Sequence, residues 1–253
     1  MVAYVASEET VPATTPLGPV TGPLSPAPGA PSNAGSIAVR VDPSLVDISV
    51  IDADQGVGGA GSGMVLTSSG DVLTNNHVVE GATSITATDV GNGATYRAAV
   101  VGYDKTQDVA VVKLEGASGL KTVRPGDSAR LAVGGGVVAI GNARGAGGTP
   151  HEAGGSITGL DRIIVAQDTL SRTTERLTGL IETNAEIVPG DSGGALVNRA
   201  GDVVGMVTAG SMGFAFQGAS NQGYAVPIDE ALSVARQIEG HRSSTTVHIG
   251  ATA

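Results

Sequence analysis

The sequence contains no cysteine, no tryptophan, and only four Tyr and two Phe in 253 residues. Without cysteine, disulfides, thiol nucleophiles, zinc–thiolate sites and iron–sulfur clusters are all excluded, although the redox compartment is left open. So few rings offer little for base stacking or for a sugar platform. Basic residues are also short. Fourteen Lys and Arg face 24 Asp and Glu, for a formal charge of −10. An acidic surface repels phosphate backbones, which argues against a nucleic-acid partner. Long apolar runs are missing too. Leu131–Gly141 is typical of those present and falls well short of the ~18 residues of a membrane span. What is abundant is glycine, at 39 residues, roughly twice its usual share. Val, Ala, Ile and Leu carry the apolar content, which suits a core built from many thin strands.

The chain divides into three pieces. Residues 1–38 hold seven of the twelve prolines and only two charges, Glu8 and Glu9. Such a stretch buries too little apolar surface to offset ordering and is expected to be an extended or disordered linker. Its first six residues are too short for the apolar region of a signal peptide, ~7–15 residues. They are equally consistent with the tail of an upstream signal or membrane anchor and with an ordinary flexible terminus. Residues 39–242 read as a folded domain of short strands at regular spacing. Examples are Val46–Ile51, Gly63–Leu66, Val72–Asn75, Arg97–Tyr103, Val109–Leu114, Val137–Gly141, Gly155–Leu160, Ile163–Gln167 and Val203–Ala209. Glycine-rich turns such as Ser69-Gly70-Asp71 separate them, a pattern that indicates an all-β sandwich or barrel. Two units are expected, about 39–118 and 130–227, with a crossover between them. Helical spacing predicts one helix over 229–239, after Pro227 and before Gly240. Residues 243–253 form a polar tail with a strand-like Thr246–Ile249.

Two motifs compete for the chemistry. Gly56, Gly58 and Gly61 match the dinucleotide-binding spacing, which works only where a strand leads into a helix. Here the glycines lead into a strand and a turn, so a cofactor role is set aside and no cofactor or metal is expected. The second motif is Pro189-Gly190-Asp191-Ser192-Gly193-Gly194. A serine flanked by glycines on a tight turn presents its hydroxyl freely, and the same turn can aim successive N–H groups at one point. A serine nucleophile needs a base. Of four histidines, His151 lies in a glycine-rich loop and His241 and His248 in the tail, whereas His77 ends a strand of the first unit. An acid must orient that base. Asp108 opens the apolar strand Asp108–Lys113 and is the choice; Asp104, four residues earlier, is the rival, with solvent exposure expected of it. The order His77, Asp108, Ser192 is the chymotrypsin-type order.

The strings Gly61–Leu66, Leu73–Ala82, Asp104–Val112 and Pro189–Val197 together resemble trypsin-like serine proteases of the HtrA/DegP kind. The likeness is strongest to secreted actinobacterial (mycobacterial PepA-type) members. It spans roughly residues 41–240. It implies a chymotrypsin-like fold of two six-stranded antiparallel β-barrels with the active site between them. It further implies serine endopeptidase activity on unfolded or extended polypeptides, in extracytoplasmic protein quality control. Catalysis would rest on His77, Asp108 and Ser192, with the N–H groups of Gly190 and Ser192 as oxyanion hole. Members usually carry a PDZ domain, and this sequence stops about where one would begin, so 243–253 reads as the linker to it. Members often assemble as trimers through the start of the protease domain, here near Val41–Val46; trimer and monomer both stay open. The alternative is a peptide-binding or chaperone-like module held inactive by the loops 142–155, 168–178 and 210–222. In the fold that the resemblance implies, the residue six before the nucleophile lies at the base of the pocket for the substrate's P1 side chain; here that is Glu186, with Ile187 next. Thr208, Ala209, Gly210, Gly223 and Tyr224 would supply the walls. Glu186 could select Lys or Arg. The favoured reading is that it turns outward or meets Arg144, while Ile187 fills the pocket and keeps P1 small and aliphatic.

Overall fold

The computed structural model describes residues 27–52, 57–167, 174–210 and 222–250. The chain opens with helix α1 (Ala34–Val41) and continues through β1 (Leu45–Asp52), β2 (Val57–Val65), β3 (Asp71–Thr74), the one-turn helix α2 (Asn76–Val79), β4 (Ser84–Asp89), β5 (Thr95–Asp104) and β6 (Val109–Leu114). After a long connection come β7 (Gly136–Gly141), β8 (His151–Gln167), β9 (Thr174–Thr183), β10 (Ala195–Asn198), β11 (Val203–Gly210), β12 (Gly223–Pro227), α3 (Ile228–Glu239) and β13 (Val247–Ile249).

Two antiparallel barrels result. In the first, β5-β4-β1-β2-β3-β6 forms a ring that β5 and β6 close. In the second, β10-β11-β12-β9-β8-β7 closes on itself. The reason lies in the strand sequences. Most sheet faces meet water on one side and alternate accordingly. Strand β6, Val109–Leu114, is apolar at five of its six positions because each of its faces meets a separate core. Ala110, Val112 and Leu114 fill the first barrel with Val46, Ile48, Val65 and Val72. Val109 and Val111 face the other way, into a cluster shared with Leu73, Ile140, Ala195 and Met206. Strand β7 does the same in the second barrel. Val137 and Ala139 point inside, Val138 and Ile140 toward the shared cluster. This shared layer fixes the barrels against each other, and the ends of β3, β6 and β11 meet along it.

Three expectations need revising at their edges. The proline-rich segment does not stay extended through residue 38. Residues 34–41 form α1, whose Ile37, Ala38 and Val41 are buried in the shared cluster. The Pro28 carbonyl also accepts from Ser156 Oγ at 2.9 Å and Asn184 Nδ2 at 3.2 Å. Residues 1–26 lie outside the described set. The strands expected at 155–160 and 163–167 are one strand, β8, bent by register shifts against β9. In the tail, Val247–Ile249 pairs with Gly102–Asp104 of β5 instead of leaving the domain. Val41, Leu45 and Val46, the region considered for a trimer contact, are buried in the chain's own interior.

Just after α1, Asp42 has a buried Oδ1 with no hydrogen-bond partner among the described residues. Burial first, and the charge of Glu152 second, raise its pKa from 3.8 to about 6. A carboxyl that binds its proton more tightly when folded supports the fold fully below its unfolded pKa, and that support is lost as pH rises through about 6. Asp42→Asn is therefore expected to raise the Tm at pH 8 and to leave it unchanged near ~3.5, below the usual carboxylate pKa. An equal gain at both pH values in a thermal scan would count against this.

Candidate active site

His77 sits in α2, directly after β3. The local sequence explains its placement. Thr74 and Asn75 are fully buried at the strand end, and their side chains bind backbone rather than solvent. Thr74 Oγ1 donates to Ser62 O at 2.7 Å, and Asn75 Nδ2 donates to Asp108 O at 2.9 Å. Asp108 has φ 53°, the left-handed region that non-glycine residues rarely enter. Asp104 holds that turn in place. Its Oδ1 accepts from Thr106 N at 2.9 Å, Thr106 Oγ1 at 2.7 Å and Gln107 N at 3.2 Å. Solvent exposure was expected for Asp104, yet it is buried. It shapes the loop and does not face the histidine.

The Asp108 carboxylate is 1% exposed and needs donors to offset its lost hydration. It has three. His77 N donates to Oδ1 at 3.0 Å, the His77 ring Nδ1 lies 2.9 Å from Oδ2, and Thr208 Oγ1 donates to Oδ2. A ring nitrogen facing a carboxylate carries the proton, which leaves Nε2 as the acceptor. Thr208, expected only as a pocket wall, links the constellation across the barrels. Its hydroxyl binds Asp108, while its carbonyl accepts from Ser192 Oγ at 3.3 Å. Ser192 is anchored in turn by Ser62 N, which donates to Ser192 O at 2.7 Å. His77, Asp108 and Ser192 are thus gathered at one seam, from α2, the start of β6 and the loop before β10.

The serine turn depends on two glycines. Gly193 has φ 83°, and a Cβ there would collide with the Ser62 carbonyl oxygen. Gly190 has φ 98°, and its carbonyl accepts from Ser62 Oγ at 2.8 Å. The Ser62 hydroxyl oxygen in turn accepts from Asn142 N at 2.7 Å. With the Gly190 carbonyl turned toward β2, the N–H groups of Gly190 and Ser192 have no acceptor among the described residues. Unpaired donors beside a serine hydroxyl suit a developing negative charge on a bound carbonyl oxygen. Ser62, Asp191 and His151 are the members of this site that sequence reasoning missed. The signal for Asp191 was its place inside the glycine turn Gly190–Gly194, since a carboxylate packed inward there needs a partner.

Ile187 is buried, and its Cδ1 occupies the space over Gly223 that any side chain there would overlap. Glu186 is only partly buried and forms no ion pair among the described residues. The side chain of Arg144, its expected partner, lies outside them, as does that of Ala209. Tyr224 packs on the side of β12 away from Ile187, against the shared cluster. Its hydroxyl donates to Gln222 Oε1 at 3.4 Å. The loop residues 168–173 and 211–221 also fall outside the described set.

Residues 61–206 match the family of the trypsin-like peptidase domain. The chain is 36% identical over 225 residues to "Serine protease Do-like HtrB" of Bacillus subtilis, which covers 81% of this chain and 48% of that protein. It is 38% identical over 187 residues to "Probable periplasmic serine protease do/HhoA-like" of Haemophilus influenzae, covering 71% of this chain and 36% of that protein. The chain thus spans half or less of the length of these relatives. Among solved structures, "HtrA-type protease AlgW with tripeptide" superposes with a TM-score of 0.70 at 31% identity, covering 83% of this chain and 64% of that one.

Proposed function

Because the chain belongs to the trypsin-like serine proteases of the HtrA type, we propose that it hydrolyses internal peptide bonds by acyl transfer through Ser192. The observation that carries this reading is the buried Asp108 carboxylate bound to His77 Nδ1, in a seam that also holds Ser192. Ser192 Oγ attacks the peptide carbonyl carbon while His77 Nε2 takes its proton. The carbonyl oxygen gains negative charge and receives the N–H groups of Gly190 and Ser192. The C–N bond then breaks, and His77 returns the proton to the leaving amine. Water repeats the sequence on the acyl-enzyme and frees the serine. Asp108 keeps the proton on Nδ1 and stabilises the imidazolium at each turn. Reaction with a fluorophosphonate probe followed by intact mass is the direct test. One adduct on the wild type and none on Ser192→Ala is the expected result; an unlabelled wild type would overturn the reading.

The substrate would be extended polypeptide with a small aliphatic P1 residue. Support for this reading comes from Ile187, buried over Gly223, and from Glu186, only partly buried and without an ion pair among the described residues. A P1 scan on a peptide library should enrich Val and Ala, and Glu186→Ala should leave the profile unchanged. Enrichment of Lys or Arg, lost in that variant, would show Glu186 to be the selector. An extracytoplasmic location is the reading that the periplasmic relative supports.

A further inference from the structure

Asp191, immediately before Ser192, is 1% exposed. The mechanism above does not use its carboxylate. Its Oδ2 accepts from Val188 N at 3.0 Å and lies 3.1 Å from Nδ1 of His151, while Oδ1 is buried with no partner among the described residues. Its backbone completes a compact loop: Asp191 N donates to Val188 O at 3.1 Å, and Asp191 O accepts from Gly194 N at 2.9 Å. Asp191 is therefore the internal strut of the turn that carries the Gly190 and Ser192 N–H groups. The strut has one side-chain tie outside its own turn among the hydrogen bonds named, and that tie is His151. His151 opens β8 and pairs there with Gly141 of β7. Gly141 leaves the room for it, since a Cβ at Gly141 would lie 3.0 Å from Asp191 Cβ and Oδ1. The ring is 30% exposed.

We propose that His151 is a positioning residue for the oxyanion turn, acting through Asp191. Its ring supplies the N–H, and when protonated the charge, that a sealed carboxylate requires. Without it the carboxylate would draw the turn toward water, and the Gly190 and Ser192 donors would lose their common aim. These donors act on charge that develops only in the transition state, so the loss appears in kcat and not in KM. The inference rests on the peptidase reading.

The test compares wild type, His151→Leu, His151→Gln and the double variant His151→Leu/Asp191→Asn on one peptide substrate, with a peptide boronate as a probe of the oxyanion site. The Leu variant should lose roughly 10- to 100-fold in kcat with KM within about threefold, and bind the boronate correspondingly more weakly. The Gln variant keeps an N–H donor and should lie between it and wild type. It also carries the comparison if the Leu variant does not fold. Removing the stranded charge in the double variant should recover most of the lost kcat, a rescue that a merely structural role for His151 would not give. The proposal is overturned if folded Leu and Gln variants keep kcat within about twofold of wild type, or if the double variant is no better than the single. Fluorophosphonate labelling of the wild type separates the two failures. A labelled wild type with unaffected variants sinks only the role of His151, whereas an unlabelled wild type sinks the peptidase reading and this inference with it.

Discussion

Replacing Ser192 by alanine should lower peptidase turnover by about 10⁶-fold, because nucleophile and base act as one unit and the second cannot substitute for the first. His77→Ala should fall to a similar level, and the Ser192→Ala/His77→Ala pair should be little worse than either alone. Stability should barely change. The Ser192 hydroxyl makes one long hydrogen bond, to Thr208 O at 3.3 Å, and truncation at a partly exposed position of this kind costs within about 0.5 kcal/mol. Turnover of a peptide substrate and a thermal scan together check both halves. A Tm that collapses in Ser192→Ala would mean that the turn, and not the chemistry, had been lost. Proteolysis that persists in it would place the nucleophile elsewhere.

Asp108→Asn is the second large effect, expected at roughly 10⁴-fold in kcat by analogy with the same change in the chymotrypsin-type triad. The amide would present N–H or oxygen to His77 Nδ1 without the negative charge, and the ring would no longer be held with Nε2 free to accept. The neighbouring acid separates chemistry from support. Asp104 Oδ1 accepts three hydrogen bonds within its own turn, and an asparagine carbonyl can accept the same three. Asp104→Asn should therefore stay within about threefold of wild type. Asp104→Ala leaves the N–H groups of Thr106 and Gln107 uncapped, at about 1–3 kcal/mol, and loosens the turn that holds Asp108 at its positive φ. It should lower both Tm and kcat. Equal loss of kcat in Asp104→Asn and Asp108→Asn would remove the distinction between the two carboxylates.

The two barrels and their seam were legible to different degrees. Short strands between glycine turns indicated a β-barrel or sandwich in two units, and α3 was placed within one residue of its start. The edges were not legible. Residues 34–41 follow seven prolines in 31 residues, and composition alone made the segment look extended to residue 38. It is helical because Ile37 and Val41 are buried in the shared apolar cluster, a placement that no local pattern reveals. The tail strand Val247–Ile249 has the same origin: three residues gain a place only because β5 offers an unpaired edge at Gly102–Asp104.

The sequence by itself determined the residue types and order of the chemistry. A glycine-flanked serine, one histidine at a strand end and an aspartate opening an apolar strand are local patterns, and each can be read from its neighbours. It did not determine who supports them. Ser62 is 128 residues from Gly190, whose carbonyl it binds, Thr208 is 100 residues from Asp108, and His151 is 40 from Asp191. Such partners leave no periodicity or spacing, because hydrogen bonds between barrels, or between distant strands of one barrel, depend on how the sheets close and where they come to rest. That position is decided by the shared apolar layer of Val109, Val111, Ile140 and Met206. Burial in that layer excludes water from the seam, so that each carboxylate and carbonyl at its edge must find a donor within the protein, often from a residue far away in the chain.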